Sequence, residues 1–408
     1  MKRSFSFGRW RVAALLASGT GLIAATYGLV RLAYGLFLPD VRAELSFGST
    51  TAGLISTGAS LLYCAGAAIG FLAAARHPRR LVAGATATAA LGAAGMAAAQ
   101  QTAIFAVFAV VGSAGAGLAS PGLVSIVRRH ARGGDDSRGQ AVVNAGTGPG
   151  LVAAGVLALV LLPDWRTAWF VVAAFTLLAG AAVLATDRTR TGAGRTSSRG
   201  TRLPPASWFA DHRAIVAAAF LMGAASAAMW NFGRTVLVDA GAGETTSVSA
   251  WIALGIGGTA VIGTARPMST LHPRTAWIVT SLTIAASSAV FGLAPGSTVV
   301  ALAACGAFGW GYTAGTGALI AWTTHVDAER ASAGTSLLFV VLIGGQAVGA
   351  TVIGVLVESA GPGAAFLVAA GAALAAGAVA VASPPRREAA ATAAVTRGRP
   401  RGGRGTRR

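Results

Sequence analysis

Long apolar runs separated by short polar clusters set the pattern of this chain. From Val12 to Leu38 the only charge is Arg31, and Pro39-Asp40 is expected to end the run. Similar runs recur at about 50–75, 81–99, 102–127, 140–162, 166–186, 214–238, 248–265, 276–294, 298–323, 333–357 and 364–383. Each is close to the roughly 20 residues that carry a helix across a bilayer, so the pattern predicts twelve transmembrane helices, numbered here as spans 1 to 12. Alanine and glycine fill them; the 56 glycines would be costly in water-exposed helices but let membrane helices approach closely.

Composition agrees with that pattern. Of the 408 residues, 54% are hydrophobic and 11% charged, with a mean hydropathy of +0.66, too apolar for a soluble enzyme of this size. The chain reads as an all-α polytopic membrane protein. The net charge of +19 would suggest nucleic acid if the arginines formed one patch. They do not: with both termini on one side, every basic residue except Arg31, Arg42, Arg166 and Arg234 falls on that side, and the other loops hold Asp40, Glu44, Asp164, Asp239, Glu244 and Glu358. By the positive-inside rule both termini face the cytoplasm, in a plasma or inner membrane, with the lipid bilayer and no nucleic acid as partner. The basic start resembles a secretory signal, but the apolar run reaches Leu38, so a retained first helix is expected. Cys64 and Cys305 lie within apolar runs and read as small buried hydrophobes. Trp165, Trp169 and Trp322 lie nearer the interfaces and read as aromatic-belt anchors.

Four parts follow: residues 1–186 as a first six-helix bundle, 187–213 as a Gly-, Ser-, Pro- and Arg-rich cytoplasmic linker, 214–383 as a second bundle, and 384–408 as a disordered basic tail. The halves echo each other. GSAGAG, Gly112 to Gly117, and GAFGWG, Gly306 to Gly311, share G-x-x-G-x-G spacing 194 residues apart; DDSR ending at Arg138 and DAER ending at Arg330 lie 192 apart. No strand precedes either glycine motif, which argues against a nucleotide loop and for a duplicated six-helix unit of the secondary-transporter kind.

Arg31 asks for a reason. Eight helical residues before Pro39 place it about 12 Å below the run's end, where a lipid-facing guanidinium costs at least ~2.5 kcal/mol. Tyr27, Arg31 and Tyr34 share one helix face, which suits a wet cavity; snorkelling, or tying carbonyls between helices, would also satisfy the charge. Arg234, with Trp230 and Asn231 on its face, lies five residues before Asp239 and is open to the same two readings. Tyr312 and Thr316 in span 10, Asn144 in span 5 and Gln346 in span 11 are further polar candidates, either for the lining or for helix–helix hydrogen bonds. All thirteen carboxylates and five histidines fall in loops or at helix ends, so a proton relay has no obvious carrier within the spans. No Cys/His metal cluster, catalytic triad or P-loop is present in the sequence, so neither an enzyme nor a cofactor is expected.

These features resemble the major facilitator superfamily. Twelve spans, the 6+6 division and the long inside linker match it, and GFLAAARHPRR from Gly70 is similar to its inside loop between spans 2 and 3, with Ala74 at the usual aspartate and Arg76, Arg79 and Arg80 kept. GPGLVAAG, Gly148 to Gly155, looks like part of the exporters' glycine-proline motif, and WRTAWF from Trp165 resembles the start of many sixth helices. The resemblance implies two bundles rocking about a cavity built from spans 1, 4, 7 and 10. Arg31 and Arg234 would then look into it from opposite halves and favour an organic anion, moved by a monomer, with export slightly favoured. Efflux of neutral or hydrophobic drugs is the alternative within transport; a non-transporting sensor or membrane-embedded enzyme is the alternative outside it.

Overall fold

The computed structural model describes residues 2–130, 136–187 and 205–382, and these contain helices and no strand. Most of the linker and the whole 384–408 tail lie outside the described residues. Span 1 is α1 (Lys2–Ile23), a π-helical stretch (Ala24–Leu32) and α2 (Tyr34–Leu45). Spans 2 to 4 are α3 (Ser49–Ala73), α4 (Pro78–Ala98) and α5 (Thr102–His130). Span 5 divides into α6 (Asp136–Asn144) and α7 (Thr147–Leu161), and span 6 is α8 (Trp165–Thr186). Then come α9 (Ala206–Asp239), α10 (Glu244–Thr270), α11 (Pro273–Leu293), α12 (Thr298–Val326), α13 (Ala331–Ser359) and α14 (Pro362–Ala382). Eleven stretches among the described residues are long and apolar enough to cross a membrane. The remaining run, the tenth, is α12; it is 29 residues long, but Gly306, Gly309, Trp310, Gly311 and Tyr312 dilute its hydropathy.

Local chemistry explains the boundaries. Pro78 and Pro273 begin α4 and α11, where the missing N–H costs nothing. Asp164 caps α8, accepting hydrogen bonds from Thr167 N at 3.1 Å and Thr167 Oγ1 at 2.6 Å. Pro149 cannot donate to the carbonyl four residues back, and the chain turns at residues 145–146, between α6 and α7. Pro39 behaves otherwise. The helix expected to end there continues to Leu45, with Pro39 inside it. A membrane interior offers the chain no water to satisfy a broken backbone, so the helix runs on and neighbouring side chains take up the disturbed carbonyls. Likewise α9 starts at Ala206, not at 214, and thereby includes Asp211 and His212.

Packing is by small residues. α4 lies against α5 and α8, α3 against α5, α11 against α12 and α14, and α13 and α14 against α9. The main pairings that join α1–α8 to α9–α14 are α3 with α13, α7 with α10, and α2 with α9. Where α2 crosses α9, a Cβ on Gly35 would collide with the Trp230 carbonyl, so only glycine permits this approach. Gly117 of α5 meets Gly66 of α3, and Gly309 of α12 meets Gly258 of α10; the second pair lies 192 positions after the first. That spacing agrees with DDSR/DAER and differs by two residues from the glycine-motif alignment.

Trp165, Trp169 and Trp322 are not belt anchors. All three are almost fully buried, Trp165 donating through Nε1 to Glu44 at 2.7 Å and Trp169 packing on Phe37. They are among the largest fully buried side chains of the described residues and fill the close-packed interior. Cys305 is buried beside Met229, as expected, whereas Cys64 is only partly so.

Polar contacts tie the two groups of helices together at one end. There Thr50 N donates to Glu358 at 2.7 Å, Thr57 and Thr351 hydroxyls meet at 2.7 Å, and Asp40 pairs with Arg234. Toward the other end, none of residues 261–270 of α10 is buried.

Candidate functional site

The site begins with a local irregularity. Ala24–Leu32 is π-helical, and Ala33 N donates to Gly28 O, five residues back, at 3.1 Å. Such wide turns recur at functional positions. Arg31 lies in the last turn of this stretch and is half-buried. Its Nη2 donates to Gln346 Oε1 of α13 at 2.6 Å, and its guanidinium stands 4.8 Å from the centre of the Tyr63 ring. Tyr63 and Tyr27 hydroxyls meet at 3.0 Å. A cation–π contact of about 0.5–2 kcal/mol and one amide acceptor therefore hold the charge. No carboxylate pairs with Arg31 among the described residues.

Beside it lies a small cavity lined by Arg31, Tyr34, Ser56, Ser60, Ser113, Trp230, Asn231 and Gln346 with apolar neighbours, leaving about 30 Å³ of water-sized space. That is room for about two waters. Tyr34 donates its hydroxyl to Ala52 O at 2.9 Å. Asn231 Oδ1 accepts from Ser56 at 2.8 Å, another link between α3 and α9. Trp230 stands edge-on to Trp251, Phe308 and Tyr312, with centroid distances of 5.9, 5.9 and 5.4 Å. Tyr312 stacks on Phe308.

The other sequence candidates lie elsewhere. Arg234 is 3% exposed; it donates to Leu36 O at 2.7 Å and Ser247 at 3.2 Å and pairs with Asp40. Leu36 lies next to Gly35, whose carbonyl Pro39 leaves without a helical donor. Arg234 therefore closes the α2/α9 crossing, and only Arg31 borders the cavity. Thr316 donates to Thr313 O at 2.7 Å within its own helix, and Asn144 is exposed at the end of α6. Tyr63 was not singled out from sequence, although a signal existed: the chain has four tyrosines, and Tyr27, Tyr34, Tyr63 and Tyr312 all gather here.

At the opposite end, Arg79 of the span 2–3 loop finds a carboxylate despite Ala74. It pairs with Asp187 at the end of α8 at 3.4 Å, and His130 approaches the same carboxylate at 3.7 Å. His212 is fully buried in α9, bonded to Trp208 O at 2.8 Å and Thr323 Oγ1 at 2.9 Å, so an imidazole does lie within this long helix.

The fold is shared with solved transporters. The nucleoside transporter NupG superposes with a TM-score of 0.75 at 15% identity, covering 91% of this chain and 98% of that one. A mutant of the peptide transporter POT gives 0.75 at 15% identity, covering 92% and 94%. A POT family transporter in complex with 5-aminolevulinic acid gives 0.73 at 11% identity, covering 91% and 95%. Among curated proteins no relative matches the sequence. The Major Facilitator Superfamily profile matches residues 16–326, and the protein is a multi-pass membrane transporter rather than an enzyme. On these grounds the chain belongs to the Major Facilitator Superfamily.

Proposed function

We propose that the protein is a twelve-span secondary transporter with both termini in the cytoplasm, moving a small organic anion by alternating access. Residues 1–186 and 214–383 act as two six-helix bundles that rock about the Arg31 cavity, joined by the 187–213 linker and followed by the basic tail 384–408. The charge distribution supports the orientation, because basic residues collect on the side of the N-terminus. α12 completes the count as the tenth span.

The observation that carries this reading is Arg31, a half-buried cation without a carboxylate partner among the described residues, bonded across the two groups of helices to a neutral amide. A permanently charged group in such a place is stabilised most by an anion that arrives and leaves. Tyr27, Tyr63, Trp230 and Tyr312 supply faces and edges for an apolar or planar remainder. The closed Asp40 end and the unburied last third of α10 support an inward-facing state of the cycle. GPGLVAAG in span 5 favours export by its likeness to exporters.

Flux in proteoliposomes tests the proposal. Vesicles containing the purified protein should exchange at least one carboxylate from a mixed panel faster than protein-free vesicles. Protein-dependent movement confined to neutral solutes would remove the anion assignment, and no movement of any solute would remove transport by this chain.

A further inference from the structure

The Arg31 cavity contains hydrogen-bond donors with no acceptor. Trp230, Asn231 and Ser113 line the same small space, and their Nε1, Nδ2 and Oγ atoms are buried without a hydrogen-bond partner among the described residues. Their residues are 4%, 6% and 1% exposed. An orphaned buried donor is costly unless something fills its place. An indole N–H can only donate, so what fills it must accept. With Arg31 on one wall, the space is cationic, rich in donors, and about the size of two oxygen atoms.

Among the described residues Gln346 supplies the acceptor of Arg31 Nη2, through Oε1 at 2.6 Å, and is itself 3% exposed. Amide and carboxylate oxygens are alike in shape and differ in charge. A carboxylate would engage the guanidinium's fork with two parallel bonds, where the amide offers one oxygen.

We infer that this cavity is a carboxylate subsite and that Gln346 is its resident stand-in. In the empty protein the side-chain amide occupies part of the place of the substrate's carboxylate and links α13 to the π-helical stretch. On binding, the carboxylate displaces Gln346 Oε1 from Arg31 and takes bonds from Trp230 Nε1, Asn231 Nδ2 and Ser113 Oγ. Substrate arrival thereby breaks a bond between the two groups of helices, which couples occupancy to their relative movement. The inference rests on the anion-transport reading and adds the chemical group recognised, the donor set and the competitor.

Purified protein provides the test through thermal stability, with benzoate, indole-3-acetate and glutarate as probes and the corresponding amides as controls. At least one acid should raise Tm in wild type while its amide does not. Gln346→Ala should bind that acid about tenfold more tightly, because a competing bond to a charged group has been removed. Gln346→Glu should keep or raise Tm yet lose acid binding, since its own carboxylate fills the subsite. Trp230→Phe keeps most of the ring and should weaken binding about fivefold. Equal response to acid and amide, no response to any acid in wild type and Gln346→Ala, or unchanged affinity in Gln346→Ala would each overturn the inference. Proteoliposome flux separates the two claims: carboxylate flux with unchanged acid affinity in Gln346→Ala overturns the subsite alone, flux confined to neutral solutes overturns the anion reading and the subsite with it, and acid binding without any flux overturns transport alone.

Discussion

Arg234 and Asp40 form an ion pair across the α2/α9 crossing, with the arginine side chain 2% and the aspartate side chain 17% exposed. Arg31, on the same helical run as Asp40, has no such partner among the described residues. The two intramembrane arginines are thus held by different physics: one is neutralised and locks an end, the other retains its charge at the cavity.

Breaking the lock has a defined cost. Asp40→Asn leaves Arg234 buried without its counter-charge, and removing one member of a buried pair typically costs about 3–5 kcal/mol. Arg234→Met alone should also destabilise, by stranding Asp40. The double variant Asp40→Asn/Arg234→Met should be less destabilised than the sum of the two, because neither charge is left alone. Thermal unfolding of the four proteins measures the coupling; strict additivity would show that the pair contributes nothing.

Acid should weaken the cap of α8. The hydroxyl and backbone N–H of Thr167 hold the Asp164 carboxyl below the usual aspartate range. A depressed folded value means the stabilisation is complete above the unfolded value near 3.9 and is lost as pH falls through the folded value. The Tm difference between wild type and Asp164→Asn should therefore be greatest at neutral pH and shrink below about pH 4. A difference independent of pH would show that the carboxylate's charge is irrelevant to the cap.

The apolar runs and the charge of Arg31 were legible in the sequence because a membrane enforces both: about 20 apolar residues per span, and a reason for any exception. The fate of Arg234 was not, because Pro39 reads as a helix end and so removes Asp40 from the helix in which it stands. Proline stops a helix readily where water can receive the freed carbonyl, which is that of Gly35 here; this helix runs on to Leu45 instead, and Arg234 donates to the neighbouring Leu36 carbonyl. Tyr63 was missed because an aromatic inside an apolar run reads as packing. The glycine-motif offset of 194 was misleading for a similar reason: glycine is so abundant that spacing alone cannot fix register, whereas the 192 offset of the scarce charged residues agrees with the Gly66–Gly117 and Gly258–Gly309 contacts.

Topology is open to thiol labelling. In a background with Cys64→Ala and Cys305→Ala, Gly243→Cys and Gly296→Cys should react with an impermeant maleimide added to intact cells. Both positions are exposed, with open space where the new Cβ would stand. Ser269→Cys, exposed at the far end of α10, should react only after lysis. Labelling of Ser269→Cys in intact cells would reverse the orientation drawn from the arginine distribution.

Arg31 gives the sharpest prediction, because its two possible roles separate on two measurements. If it binds the substrate's anion, Arg31→Gln should insert and fold, since a charge is removed from the membrane while a hydrogen-bonding amide remains opposite Gln346. Carboxylate flux should nevertheless fall at least tenfold, the loss expected when a charged hydrogen bond of ~1.5–3 kcal/mol disappears. Arg31→Lys should recover only part of it, because lysine keeps the charge but lacks the planar fork and stacks less well on Tyr63. If Arg31 merely ties α13 to span 1, Arg31→Gln should instead lower Tm while flux per folded molecule stays close to wild type. Flux in proteoliposomes, normalised to folded protein by size-exclusion chromatography, decides between them: normal specific flux with a lowered Tm would leave Arg31 a helix tie and return the search for the anion's contact to the rest of the cavity.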